Sequence, residues 1–288
     1  MSNKALMTSS SPLIINLAPT GAIPSRSMTP HVPLSSQDIV RDVIAAAEIG
    51  ISIVHIHARD EQGKPTYKKE FFAPIIAGIR EHNPELVICV SCSGRDFSQL
   101  EQRADVLELK GDLKPDMASL TTSSLNFLQQ ASINEPQMVF ALAERMLERG
   151  ILPEIEILDL GMANYAKYLI NKLEIQTPIY ANIMLGNIAS AQADLLSIAA
   201  LIHSLPQGAL WSLGGIGDAQ IPLTALAAAM APGVRIGLED FLWMDRERTQ
   251  LTTNVAMVQR IYQLASLVDR PIMSPQELRL LLGLKSLR

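Results

Sequence analysis

Cysteine, charge and aromatic side chains are all scarce in this chain of 288 residues. Only Cys89 and Cys92 are present, which excludes the disulfide framework that staples small secreted domains. Charged residues make up 18% of the chain and the formal net charge is -5, so there is no basic footprint for nucleic acid. No apolar run reaches the ~18 residues of a membrane span. The Ser-rich residues 1–12 lack the charged and apolar regions of a signal peptide. These shortages predict a cytoplasmic protein with neither a nucleic-acid nor a membrane partner. A surface with less charge than average also favours a homo-oligomer, in which assembly covers part of it.

Apolar material, by contrast, is plentiful: 48% of residues, enough for a well-buried core. Short apolar runs alternate with amphipathic stretches throughout. Strands are predicted at 13–18, 51–57, 86–91, 117–120, 151–158, 179–185, 210–213 and 234–237. Helices are predicted from a cap at 35–38 to 47, then at 70–80, 97–106, 137–149, 162–172, 191–203, 221–230, 252–269 and 274–282. Near-continuous apolar strands suit a parallel sheet covered on both faces. Eight such β/α units with no linker-like shift in composition predict an α/β protein, a single (β/α)8 TIM barrel. It would occupy residues 1–288 as one domain, with residues 1–12 as a flexible extension.

Chemistry in such barrels collects at the carboxyl ends of the strands. His55-Ile56-His57 ends the second strand, and alternate strand residues share a face, so the two imidazoles project together. They supply half of a tetrahedral zinc site, unless they are a hydrogen-bonded pair of core histidines. Glu239 closes the last strand, which in a closed barrel lies one strand away, and is the natural third ligand. Two histidines and a carboxylate leave a coordination position open, as in catalytic zinc; iron(II) suits the same ligands. The competing account of Glu239-Asp240 is an acidic pair at a helix N-terminus.

Asp240 is the candidate general base, with Arg235 on the same strand to orient it. Glu156, alternating with Glu154 in the fifth strand, is placed to meet Arg235 across the barrel, as catalytic support or as a structural ion pair. Gly215 and Gly217, in the turn after the seventh strand, would offer free backbone amides to a phosphate-bearing cosubstrate, or merely end the strand. In Cys89-Val90-Ser91-Cys92 the two sulfurs lie three residues apart on a strand and face opposite sides, which argues against a shared metal or redox role.

These residues together resemble the β-keto acid cleavage enzyme family, whose founding activity is 3-keto-5-aminohexanoate cleavage. The resemblance covers nearly the whole chain. It rests on Thr20-Gly21-Ala22, Val54-His55-Ile56-His57-Ala58-Arg59, Ser91, Lys114 to Leu120, Pro153-Glu154-Ile155-Glu156, Gly215-Ile216-Gly217 and Arg235-Ile236-Gly237-Leu238-Glu239-Asp240. It implies a zinc-dependent barrel, a homotetramer, that converts a β-keto acid and acetyl-CoA into acetoacetate and a new acyl-CoA. His55, His57 and Glu239 would hold Zn2+, and Asp240 would remove a C2 proton with Arg235 and Glu156 in support. Ser91 and Ser119 match substrate-contacting positions, beside Thr20, Gly21 and the residue after Ala22.

That last residue is Ile23, where the aminohexanoate enzyme carries a Glu that meets the substrate ammonium. A neutral or apolar β-keto acid is therefore expected, a dicarboxylic one second, and a cationic one least. Arg95, in Cys92-Ser93-Gly94-Arg95 where the family usually has Thr-Gly-Gly, is expected to be solvated. A CoA-independent metal-dependent aldolase or lyase is the alternative, and a non-catalytic metal-binding scaffold a further one. Amidohydrolases share His-x-His but need further histidines, and His82 and His203 lie on or after helices.

Overall fold

Strands form where the apolar runs stand: β1 (Ile14–Leu17), β2 (Ile53–Ile56), β3 (Val87–Val90), β4 (Met117–Thr121), β5 (Leu152–Ile157), β6 (Tyr180–Leu185), β7 (Leu210–Gly215) and β8 (Gly233–Ile236). In the computed structural model, which describes residues 11–175 and 178–286, each pairs in parallel with its sequence neighbours. Asn16 beside Arg235 joins β1 to β8 and closes the barrel. The end of β8 thus lies one strand from that of β2, as the metal reading requires.

Around the barrel run α1 (Ser36–Ile49), α2 (Lys69–His82), α3 (Leu100–Arg103), α4 (Pro136–Glu148), α5 (Leu160–Lys172), α6 (Leu195–Ser204), α7 (Gln220–Met230), α8 (Asn254–Leu267) and α9 (Pro275–Leu282). Side-chain caps set several starts. Ser35 accepts from Asp38 N, Asp194 from Ser197 N, and Ser274 forms a capping box with Glu277. The Asp194 cap explains why α6 begins later than the predicted residue 191.

The predicted helix 97–106 contracts to α3 and a 3₁₀ turn over Asp105–Glu108, because Arg103 turns inward to bond the Cys92 carbonyl and Asn134. Two short hairpins were not predicted. One pairs Ala58–Arg59 with Pro65–Thr66, the other Leu125–Asn126 with Ala131–Ser132. Of the expected flexible extension, residues 1–10 lie outside the described residues; the Ser11 carbonyl accepts from Arg270 Nε.

Alternate residues of each strand point inward and stack in layers. Ile14, Ile53, Val87, Cys89, Met117 and Tyr180 form the apolar floor, packed against Met273, Leu278 and Leu282 around α9, which closes the amino-terminal mouth. Burying each Leu or Ile there contributes ~1.5–3 kcal/mol. Two residues further along the strands the layer turns polar, with Asn16, His55, Glu154, Asn182, Ser212 and Arg235 all buried. Most of its polar atoms are hydrogen-bonded, Asn16 Oδ1 and Asn182 Nδ2 being the ones left without a partner. Asn16 Nδ2 donates to Glu154 Oε1 at 2.7 Å, and Tyr180 Oη pairs with Ser212 Oγ at 2.5 Å. The candidate site lies on top of this layer.

Candidate active site

A cavity of about 850 Å³ opens over the carboxyl ends of the strands. His55 reaches it from inside β2 and His57 from just beyond, their ring centroids 5.4 Å apart. A carboxylate can only accept, so the 2.6 Å contact between His55 Nδ1 and Glu154 Oε2 puts the proton on Nδ1. His55 Nε2 is then the ring atom left to act as a ligand. Burial would push the Glu154 carboxyl up, but His55, Arg235 and the Cys89 thiol outweigh it and hold it at about 2. A carboxylate behind a histidine is the usual device for orienting a metal ligand.

Glu239 stands in the turn after β8, and two glycines put it there. Gly237 has φ +154, and a Cβ would lie 2.0 Å from the Ala18 carbonyl oxygen. Gly21 has φ +65, and a Cβ would lie 2.6 Å from Glu239 Cγ. L-residues rarely adopt either backbone conformation, and at both positions a Cβ would also collide with its neighbours. Asn254 fastens the two loops: its Oδ1 accepts from Leu238 N and its Nδ2 donates to the Pro19 carbonyl. No helix begins at Glu239-Asp240, since α8 starts at Asn254, so the helix-terminus account does not apply.

His55, His57 and Glu239 present ligand atoms that all lie within 4.8 Å of one another. His57 Nε2 is 3.4 Å from Glu239 Oε1, which also accepts from Arg235 Nη2 at 2.8 Å. Glu239 Oε2 is buried with no hydrogen-bond partner. A buried orphan carboxylate oxygen on a residue clustered with two imidazoles fits a divalent cation. The Glu239 carboxyl lies well below its usual range: burial opposes this, but His57, Arg235 and His55 prevail. Cys89, His55 and Glu154 also cluster. There the thiol donates to Glu154 Oε2 at 3.1 Å and is pushed well up by burial, so hydrogen bonds already fill that position. Burial also raises the Cys92 thiol to about 12, and both cysteines are unpaired, which leaves no thiolate for redox chemistry.

Arg235, buried inside β8, contacts three carboxylates. Nε donates to Asp240 Oδ2 at 3.2 Å, Nη1 to Glu156 Oε1 at 3.4 Å, and Nη2 to Glu239. Glu156 is steadied by Thr121, whose Oγ1 donates to Oε2 at 2.6 Å. Burial raises the Asp240 carboxyl to about 6; Arg235 restrains the shift and neighbouring Glu239 adds to it. The two adjacent carboxyls are thus pushed in opposite directions, Glu239 down and Asp240 up.

Ile23, Ser91, Ser119 and Gly217 line the cavity with these groups. Thr20, Gly21 and Gly215 do not, which corrects the expected contacts. Thr20 Oγ1 is buried and donates to the Pro33 carbonyl; Gly21 backs Glu239; Gly215 packs against the start of α7, where a Cβ would lie 2.5 Å from Gln220 N. Nor are the turn amides free. Ile216 N donates to the Leu185 carbonyl and Gly217 N to that of Asp240, so the turn positions Asp240 instead of cradling phosphate. Arg95 departs furthest from expectation. It is half-buried in the cavity wall, its guanidinium 3.8 Å from the Phe127 ring.

Sequence reasoning missed Glu154 as the partner of His55, and also Thr121, Asn254 and Arg59. Arg59 Nη2 bonds the carbonyls of Gly21 and Pro24, holding the loop that carries Ile23. It missed the Leu125–Ser132 hairpin as well. The apolar-polar alternation of Glu154 and Glu156 was the one signal that could have found any of these.

Residues 12–284 match the profile of the beta-keto acid cleavage enzyme family. The chain is 34% identical to a 3-keto-5-aminohexanoate cleavage enzyme of Fusobacterium nucleatum, covering 95% of this chain and 98% of that one. It is 33% identical to a 3-oxoadipate:acetyl-CoA acetyltransferase of Cupriavidus necator, covering 96% of each. The solved apo structure of ObcA superposes with a TM-score of 0.77 at 18% identity, over 88% of this chain and 66% of that one, a likeness of fold.

Proposed function

Because the chain belongs to the beta-keto acid cleavage enzyme family, we propose that it catalyses acetyl-CoA-dependent cleavage of a β-keto acid. The β-keto acid and acetyl-CoA would give acetoacetate and the acyl-CoA of the remaining fragment. The observation that carries this reading is the adjacency of Glu239 and Asp240, one beside two histidines and the other poised as a base, with Arg235 touching both.

His55, His57 and Glu239 would hold the metal, which we take to be Zn2+ from the donor set. When bound it would supply Lewis-acid stabilisation of the charge that builds on the keto oxygen. Asp240 takes the C2 proton of the keto acid, its carboxylate aimed by Arg235 Nε. Glu156 acts as a positioning residue: with Thr121 it fixes the guanidinium that aims the base. Ser91 and Ser119 place hydroxyls on the wall where the substrate lies; Ser119 Oγ also accepts from Cys92 N, which sets its orientation. The deprotonated carbon attacks the acetyl thioester, CoA passes to the substrate acyl carbon, and retro-Claisen cleavage releases acetoacetate.

Side chains of differing charge appear in the relatives' names, so the acyl group must be read from this chain's own cavity. Ile23 offers nothing to an ammonium, which supports a substrate that is not cationic. We also take the active form to be a cytoplasmic homotetramer. Leu195 and Leu196, both exposed on α6, support assembly, and the two unpaired cysteines suit a reducing compartment. No helix among the described residues is long and apolar enough to cross a membrane.

The test is incubation of the metal-loaded protein with acetyl-CoA and a panel of β-keto acids, with acetoacetate and acyl-CoA measured together. Stoichiometric formation of both is expected. Cleavage that proceeds equally fast without acetyl-CoA would point to an aldolase or lyase instead.

A further inference from the structure

With one exception, the buried or half-buried arginines among the described residues all have a guanidinium held by hydrogen bonds, although Arg59 and Arg80 each keep an unpartnered Nε. Arg59 bonds three carbonyls, Arg103 two carbonyls and Asn134, Arg235 three carboxylates, and Arg279 two carbonyls and Asp116. Arg95 is the exception. Among the described residues its guanidinium makes no hydrogen bond, and no carboxylate approaches within ion-pair distance, although it lies in the wall of the cavity that holds His57 and Asp240.

Its position is nevertheless fixed. Gly94, just before it, is clamped: its carbonyl accepts from Ile133 N, and a Cβ would lie 2.5 Å from the Ile133 oxygen. Ser93 Oγ accepts from Arg95 N at 3.2 Å. The guanidinium face rests on Phe127, carried by the Leu125–Ser132 hairpin. Stacking uses the π face and leaves the N–H edge available in the plane of the group. A half-desolvated guanidinium with free donors is costly unless an anion completes it, and the matching shape is a carboxylate taken bidentately.

Resting on the function proposed above, we infer that Arg95 binds a second carboxylate at the far end of the β-keto acid, making this site selective for dicarboxylic substrates. The reacting end lies at His55, His57 and Asp240, and Arg95 waits on the wall of the same cavity. Ile23 and Arg95 then act in concert: one gives a cationic side chain no partner, and the other gives an anionic one its counter-charge. The neutral side chain expected from Ile23 alone narrows to the dicarboxylic alternative. The phosphates of CoA are the other source of an anion, and a substrate comparison separates the two.

The experiment pairs 3-oxoadipate with 3-oxohexanoate, the same carbon chain ending in carboxylate or in methyl, with acetyl-CoA at saturation. The native protein is expected to favour the dicarboxylic acid about 100-fold in kcat/KM, chiefly through KM, the scale of a charge-assisted hydrogen-bond pair in a partly buried site. Arg95→Met should collapse that ratio towards one, and Arg95→Lys should restore part of it. A native ratio near one, or an Arg95→Met effect that raises KM for acetyl-CoA equally with both acids, overturns the inference and assigns the residue to the cosubstrate. Calorimetric titration with adipate and hexanoate, which carry no keto group, reads Arg95 without turnover. Adipate binding that Arg95→Met abolishes supports the inference even if no acid is cleaved, in which case the proposed reaction fails alone. Absence of adipate binding to a protein that does cleave keto acids sinks the inference and spares the reaction.

Discussion

At the amino-terminal mouth of the barrel Arg80 and Arg279 face Asp116 and Glu85; at the carboxyl-terminal mouth a single arginine, Arg235, pairs with Glu156, Glu239 and Asp240 together. The lower network balances two positive charges with two negative ones. Its carboxylate is well supplied: Arg279 Nη2 lies 2.7 Å from Asp116 Oδ1, while Asp116 Oδ2 accepts from Ile88 N and Arg80, and Arg80 Nε is the atom of these groups left without a partner. Such a set fastens α9 to the ends of β3 and β4. The upper network is short of positive charge and keeps an orphan oxygen on Glu239. Similar parts in different proportion yield a fastening at one end and the proposed ligand site at the other, which agrees with the general division of labour between the two faces of such barrels.

That contrast can be broken experimentally. The largest effect is expected from Asp240→Asn, which removes the base proposed above and keeps its shape. Turnover should fall by ~10²–10⁴ while metal content stays at the native level. Loss of metal in that variant would mean that ligand and base have been exchanged in the assignment.

At the other mouth, Arg279→Met takes one positive partner from Asp116 and from Glu85 inside the protein. It should cost ~3–5 kcal/mol, seen as a fall of roughly 10 °C in the midpoint of thermal unfolding. Its turnover at low temperature should match the native protein, and a variant equally stable but inactive would contradict the proposed separation of roles.

Glu154→Gln acts one layer below the site. Removing the charge behind His55 should weaken metal affinity by about 10–100-fold in a chelator competition, with the fold intact by circular dichroism. An unchanged affinity would show that the Glu154–His55 contact serves the core alone. The smallest effect concerns stability in the upper network. Chelator-treated Asp240→Asn should unfold at higher urea than the chelator-treated native protein, by about 1 kcal/mol, because one of three mutually repelling carboxylates has gone. A lower midpoint would mean that Arg235 already neutralises the set.

Much of this was legible in the chain itself, for identifiable reasons. Apolar runs mark all eight strands because a parallel barrel buries both faces of its sheet. His55 and His57 are readable as a pair because strand period alone puts them on one side, and barrel closure predicts that Glu239 lies near them. What escaped depends on contacts distant in sequence. Glu154 and Glu156 look alike locally; which of them meets His55 is decided by depth in the barrel, since Glu154 shares the layer of His55 and Glu156 the next one up. The Gly214–Gly217 turn reads as a phosphate cradle until its partners, Leu185 and the Asp240 carbonyl, are known. The Leu125–Ser132 hairpin has strands of two residues each, too short for any periodicity to declare itself.

That hairpin gives the molecule a natural seam. The residues assigned to the reaction stand on the barrel strands or just past their carboxyl ends, whereas Phe127, Leu128, Gln129 and Gln130 line the cavity from the segment between β4 and α4. Its length and sequence can drift without disturbing strand register, because its two short strands pair with each other in a sheet separate from the barrel. Editing a few roof residues can therefore reshape the cavity while leaving the barrel strands beneath it as they are.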